Sequence, residues 1–118
     1  MKLKTSELTG RALDYAVAKA QGLNVINFGG AIIHREADGD QLYKPTDYWH
    51  LCGQLIDTFG MELTNELVND VWIYYATCPH LMGEYQHGDT PRIAICHAVV
   101  AAELGNEVEI PDELLEGE

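Results

Sequence analysis

Apolar positions recur at helical spacing in two places along the chain. In the first, Leu13, Ala16, Val17 and Ala20 form a stripe, with Leu8, Ala12 and Tyr15 beside it, which is the period of an amphipathic helix. Ser6 or Thr9 offers a side-chain oxygen to an orphan amide at its start, and Gly22 offers a left-handed stop. In the second, Ile93, Cys96, Val100 and Leu104 form the stripe, flanked by Ala94, Ala98, Ala101 and Ala102. Asp89 or Thr90 caps this helix, Pro91 fills the first turn, where its missing donor costs nothing, and Gly105 ends it. The small residues allow close packing on a sheet.

Between these helices the pattern shortens. Leu23–Phe28 is a mostly apolar run broken by Gly29-Gly30. Ala31–Arg35 and Gln41–Tyr43 predict a hairpin around Ala37-Asp38-Gly39-Asp40, because Asp-Gly tolerates the positive φ of tight turns. No period persists from Lys44 to Gly60; Lys44-Pro45-Thr46-Asp47 reads as a turn and Leu55-Ile56 as a short apolar anchor. Met61–Leu67 and Val71–Thr77 predict an antiparallel pair, and Val71-Trp72-Ile73-Tyr74-Tyr75 has the β-branched and aromatic content that suits a half-buried strand. Leu81–His87 is a weaker third strand. Lys2-Leu3-Lys4 predicts a short edge strand, paired with Glu107–Ile110. Strands gathered between two helices predict an α+β fold, a small antiparallel sheet carrying an N-terminal and a C-terminal helix. Residues 1–111 are expected to form a single α+β domain, followed by an acidic tail over 112–118.

The chain has 118 residues, 47% hydrophobic and 22% charged, which is ordinary for one globular domain. Seven Lys and Arg against nineteen Asp and Glu give a net charge of −12. Duplex nucleic acid is excluded as a partner, because phosphate neutralisation needs clustered basic charge. No apolar run approaches the roughly 20 residues of a membrane helix, and no signal peptide is visible, since Lys2 and Lys4 are followed by Thr5, Ser6 and Glu7. Cys52, Cys78 and Cys96 are odd in number and widely spaced, a poor disulfide framework; reduced thiols in a cytosol are expected.

The chemistry-bearing motifs are few. Cys78-Pro79-His80, His87 and Cys96-His97 have metal-ligand types without the paired spacing of a zinc site, so no metal is expected. No Walker loop, Rossmann glycine run or nucleophile elbow occurs, and no enzyme activity or cofactor is expected.

Three blocks carry a resemblance. Lys4-Thr5-Ser6-Glu7-Leu8-Thr9-Gly10 with Ala12–Ala20 opens the first. Pro45, Trp49, Gly53, Leu55, Ile56 and Asp57 make the second. Gly88-Asp89-Thr90-Pro91 through Glu103–Leu114 make the third. In this order they resemble the NinX-like proteins of lambdoid phages and prophages. Departures fall at Leu51-Cys52, Gln54, Arg92 and His97. The resemblance implies a phage or prophage accessory protein acting in the cytoplasm of a bacterial host; it carries no chemistry with it.

The residues suggest a ligand site between the Pro45–Gly53 segment and the start of the last helix. Trp49 would stack on a flat ring, since such stacking is worth roughly 1–3 kcal/mol per base, with Tyr48 bordering it and Gly53 letting the backbone approach. Thr90 and the amides after Pro91 would receive an anionic end, as helix N-termini do. Arg92 would supply the counter-charge and Lys44 a second positive group. The competing reading of Trp49 is a plug in the core beneath a long loop. The functional expectation is a non-catalytic protein that sequesters a nucleotide-like small molecule, such as a host-defence signal. The alternative is an acidic inhibitor or adaptor docking on a basic host factor, distinguishable by salt-sensitive capture. A homo-oligomer, a two-fold dimer, is expected, with Val71–Tyr75 or the central loop as its surface.

Overall fold

The computed structural model describes residues 1–115; residues 116–118 of the expected tail lie outside the described residues. The architecture is α+β. In chain order the elements are β1 (Lys2–Lys4), a 3-10 turn at Thr5–Glu7, α1 (Gly10–Ala20), β2 (Val25–Phe28), β3 (Ala31–Glu36), β4 (Gly39–Leu42), α2 (Trp49–Phe59), β5 (Glu62–Val68), β6 (Val71–Thr77), β7 (Gln86–Gly88), α3 (Pro91–Leu104) and β8 (Glu107–Glu109).

The strands form three small antiparallel sheets instead of the one that the sequence predicts: β1-β8, β2-β3-β4 and β5-β6-β7. The reason lies in α3. Its residues Ala94 through Ala101 are all buried, and a helix apolar on every side must be covered on every side. It packs against α1, α2, β6, β7 and β8, while β3 packs against α1. Cover is therefore distributed around α3 rather than gathered on one face. Ile95, Val99 and Val100 are completely buried, each worth about 1.5–3 kcal/mol of transfer free energy.

The expected hairpins form. Val68 pairs with Val71, and Asn69 and Asp70 between them have φ of 51° and 65°, positive at both turn positions as a two-residue I′ loop requires. The hairpin expected around Ala37–Asp40 forms between β3 and β4, where Glu36 pairs with Gly39. β2 and β3 form a further hairpin where the sequence predicts only a strand break, with Gly29 and Gly30 at φ of 60° and 93°. Leu3 faces Val108 in the β1-β8 pair, so the chain ends meet as expected. The third strand of the last sheet lies at Gln86–Gly88, shifted from Leu81–His87, because Pro79–Leu81 closes a 3-10 turn first. Asp112–Leu114 also forms a 3-10 turn with Leu114 fully buried, so packed structure reaches at least Leu114.

One helix departs from the sequence reading. Trp49–Phe59, taken as irregular, is α2, which buries Leu51, Cys52 and Leu55 and ends at Gly60 in the left-handed region. No side-chain cap marks its start at Tyr48, and Gly53 interrupts its middle, so both usual punctuation signals mislead. Its stripe packs on α3. The last helix matches expectation in detail: the Thr90 hydroxyl accepts from the Ile93 amide at 3.1 Å, Pro91 follows, and Gly105 ends it with φ of 90°.

Candidate functional site

A cleft of about 590 Å³ opens where α1, the β2-β3 turn, the segment after β4 and the start of α3 meet. From α1 it takes Gly10, Arg11 and Asp14, and from the turn Gly29, Gly30 and Ala31. Leu42, Lys44, Thr46 and Asp47 come from the segment after β4, and Thr90, Arg92 and Ile93 from α3. Its size falls in the range of small-molecule sites.

Thr46 is the keystone of the cleft wall. Its amide donates to Asp14 Oδ1 at 3.0 Å and its hydroxyl to Asp14 Oδ2 at 3.1 Å. Its carbonyl accepts from Arg92 Nε at 3.0 Å. One residue of an irregular segment is thus gripped by both helices. Asp14 is fully buried, and that burial raises its carboxyl from 3.8 to about 6, against the opposing pull of the two Thr46 bonds and the nearby Lys44 cation. Lys44 Nζ lies 2.7 Å from Asp47 Oδ2, and this bond raises the Lys44 ammonium.

The starts of both α1 and α3 contribute to the same cleft. Thr9, the residue before α1, makes no side-chain cap bond, so the first amides of α1 depend on other partners. At α3 the Thr90 hydroxyl oxygen is already engaged by Ile93, leaving its hydrogen to donate. Arg11 Nε donates to the Leu114 carbonyl at 2.8 Å. Gly30 has φ of 93°, a conformation that favours glycine, and a Cβ there would come within 2.7 Å of an Arg11 guanidinium nitrogen, which would have to shift.

Of the six residues predicted for the site, Lys44, Thr90 and Arg92 line this cleft; Tyr48, Trp49 and Gly53 do not. Trp49 is neither a core plug nor part of the cleft lining. It stands 47% exposed at the first turn of α2, with the Arg92 guanidinium carbon 5.2 Å from its ring centroid. That contact holds Arg92 from behind, as cation–π pairs do. Tyr48 stacks on His50, ring centroids 5.8 Å apart. Gly53 sits inside α2, and a Cβ there meets nothing within 4 Å. Of these three, only Trp49 has a contact with Arg92; Tyr48 precedes α2 and Gly53 lies within it.

Arg11, Asp14, Thr46 and the Gly29-Gly30 turn are the site residues that the sequence reading missed. Asp14 left a signal: it is a carboxylate among the buried positions of α1, next to Leu13 and two residues before Ala16. Arg11 left none, since nothing local says that the first turn of α1 meets a distant hairpin.

The cysteines and His97 serve the core. Cys52, Cys78 and Cys96 are free and buried. The bond between Cys52 and Cys96 lowers the Cys52 thiol against its burial and, together with burial, pushes the Cys96 thiol well up; Cys52 Sγ lies 3.9 Å from the Arg92 carbonyl. His97, nearly fully buried, has Nδ1 2.8 Å from the His87 carbonyl and Nε2 2.8 Å from that of Leu8. It ties β7 and the approach to α1 onto α3. Among the described residues no group of three His, Cys, Asp or Glu side chains could hold a metal ion, and no helix is long and apolar enough to cross a membrane.

No curated protein matches the chain. A family model described as Bacteriophage P22, NinX matches residues 4–103, a span that runs from the end of β1 nearly to the end of α3 and includes every residue of the cleft. The chain belongs to this NinX phage family.

Proposed function

We propose that this NinX-family protein binds and sequesters a small, anionic, nucleotide-like molecule in the cleft, without catalysis, in the cytoplasm of a bacterium carrying the phage. The observation that carries this reading is a local reversal of charge. The chain has a net charge of −12 and only seven Lys and Arg, yet Arg11, Lys44 and Arg92 line one cleft. Among the described residues that line the cleft the carboxyls are Asp14 and Asp47, of which Asp14 is raised toward neutrality. The starts of α1 and α3 add the positive ends of two helix dipoles. Such focusing in a concave, partly apolar site outweighs a repulsive net charge at short range. In a phage protein, a soluble nucleotide that signals host defence is a ligand of the right chemistry.

Mass spectrometry of the supernatant after heating the purified protein tests the reading, followed by calorimetry with cyclic nucleotides and ADP-ribose derivatives. A released nucleotide, or heat that weakens as salt rises, is the expected result. No released ligand and no heat at tens of micromolar protein would overturn it.

The same reading takes the protein as a two-fold homodimer. Leu67, Val71 and Trp72 at the β5-β6 tip are 54%, 60% and 50% exposed, an apolar surface of the kind that marks protein contacts. Light scattering should give twice 13.1 kDa; a 13.1 kDa particle at micromolar concentration refutes the dimer.

A further inference from the structure

The cleft has an apolar wall as well as a charged one. In the second sheet Phe28 faces Ala31, Ile26 faces Ile33, and Ile33 faces Leu42. Side chains alternate along a strand, so these five share one side of the sheet, opposite the buried Ile32. Of these five, Ala31 and Leu42 line the cleft. Phe28 directly precedes Gly29 and Gly30, which line the cleft too.

Phe28 is 73% exposed. A single exposed apolar residue needs no explanation. Phe28, however, continues a row with Ile26 and Leu42, 36% and 38% exposed, that leads into a concave site. Its cross-strand partner is only Ala31, too small to cover the ring as a larger neighbour would. The Gly29-Gly30 turn beside it is braced by the Gly30 amide donating to Asn27 Oδ1 at 2.9 Å.

Resting on the reading of the cleft as a nucleotide site, the geometry points to Phe28 as the platform on which the ligand's heteroaromatic ring stacks. Ala31 and Leu42 form the apolar floor beside it, and the wall of Arg11, Lys44 and Arg92 takes the phosphate. The ligand class is then a nucleotide whose base contributes affinity, rather than a sugar phosphate or free phosphate. Trp49, which lies behind Arg92, holds that arginine and does not touch the ring.

Calorimetry with ADP-ribose and with ribose 5-phosphate separates the parts, on the wild type and on Phe28→Ala, Phe28→Trp and Trp49→Ala. The wild type should bind ADP-ribose more tightly than ribose 5-phosphate. Phe28→Ala should weaken ADP-ribose by about 5- to 140-fold, the range of stacking deletions, and leave ribose 5-phosphate unchanged. Phe28→Trp should restore the loss. Melting temperatures matched to the wild type confirm that an exposed residue was changed without harm to the fold. If the wild type binds ADP-ribose and Phe28→Ala binds it equally well, or if Trp49→Ala alone abolishes the preference for the base, the stacking assignment fails while the cleft reading stands. If the wild type binds neither compound, both fall together.

Discussion

Asp14→Asn isolates one buried titration that frames the cleft. An asparagine keeps an oxygen to accept from the Thr46 amide, and its NH₂ can donate to the Thr46 hydroxyl, so the wall is preserved while the ionisation is removed. In the folded protein burial raises the Asp14 carboxyl from 3.8 to about 6. An acid raised in this way holds its proton in the native state at pH values where the unfolded chain has lost it. The native state therefore gains stability as pH falls through about 6, and the gain is complete below about 3.8. The full shift of about two units corresponds to about 3 kcal/mol. Integrated from pH 8 to pH 5, the linkage gives the wild type on the order of 1 kcal/mol, and Asp14→Asn none of it. Urea unfolding followed by tryptophan fluorescence at pH 8, 7, 6 and 5 reads both proteins. The other acidic residues titrate in both, and any constant effect of the substitution cancels in the difference. The expected result is a wild-type-minus-variant stability that rises by on the order of 1 kcal/mol between pH 8 and pH 5. Parallel curves would refute the argument that burial outweighs the Thr46 bonds. A difference that opens in the opposite direction would show that those bonds win and that Asp14 is held ionised.

Two further substitutions test the helices around the site. Gly53→Ala should stabilise the protein by about 0.5–1 kcal/mol, because a Cβ meets open space inside α2; a melting temperature that falls would mean that Gly53 is not an ordinary helix-interior position. The same variant should bind ligand as the wild type does. His97→Ala should cost at least about 2 kcal/mol, because it strips the ring from the Leu8 and His87 carbonyls and leaves a cavity beside α3; an unfolding midpoint within about 0.5 kcal/mol of wild type would remove His97 from its role as a tie, since surface-like changes fall in that range.

Local rules determined much of this protein from sequence alone. The period of Leu13, Ala16 and Val17 and the cap-to-stop run from Thr90 to Gly105 specify α1 and α3, because helix faces and caps depend on residues three or four positions apart. The Asn69-Asp70 turn specifies its hairpin, because tolerance of positive φ is a property of those residues themselves, whereas Gly29-Gly30 marks only a break in the sequence and becomes a hairpin turn when β2 pairs with β3. The three blocks of resemblance named the phage family for the same reason: they are strings of neighbours. The tertiary structure decided what depends on distant neighbours. The segment from Trp49 to Phe59 becomes a helix because Leu51, Cys52 and Leu55 find cover on α3, in spite of a weak start and a central glycine. The strands divide into three sheets because the β5-β6-β7 and β1-β8 sheets cover α3 while β2-β3-β4 packs against α1. The cleft exists only because Thr46 is bonded at once to Asp14, 32 residues before it, and to Arg92, 46 residues after it. No local pattern encodes that pairing. Lys44, Thr90 and Arg92 were legible as candidates from their chemistry, whereas Arg11, Asp14 and Phe28 acquired their places only when the chain closed on itself.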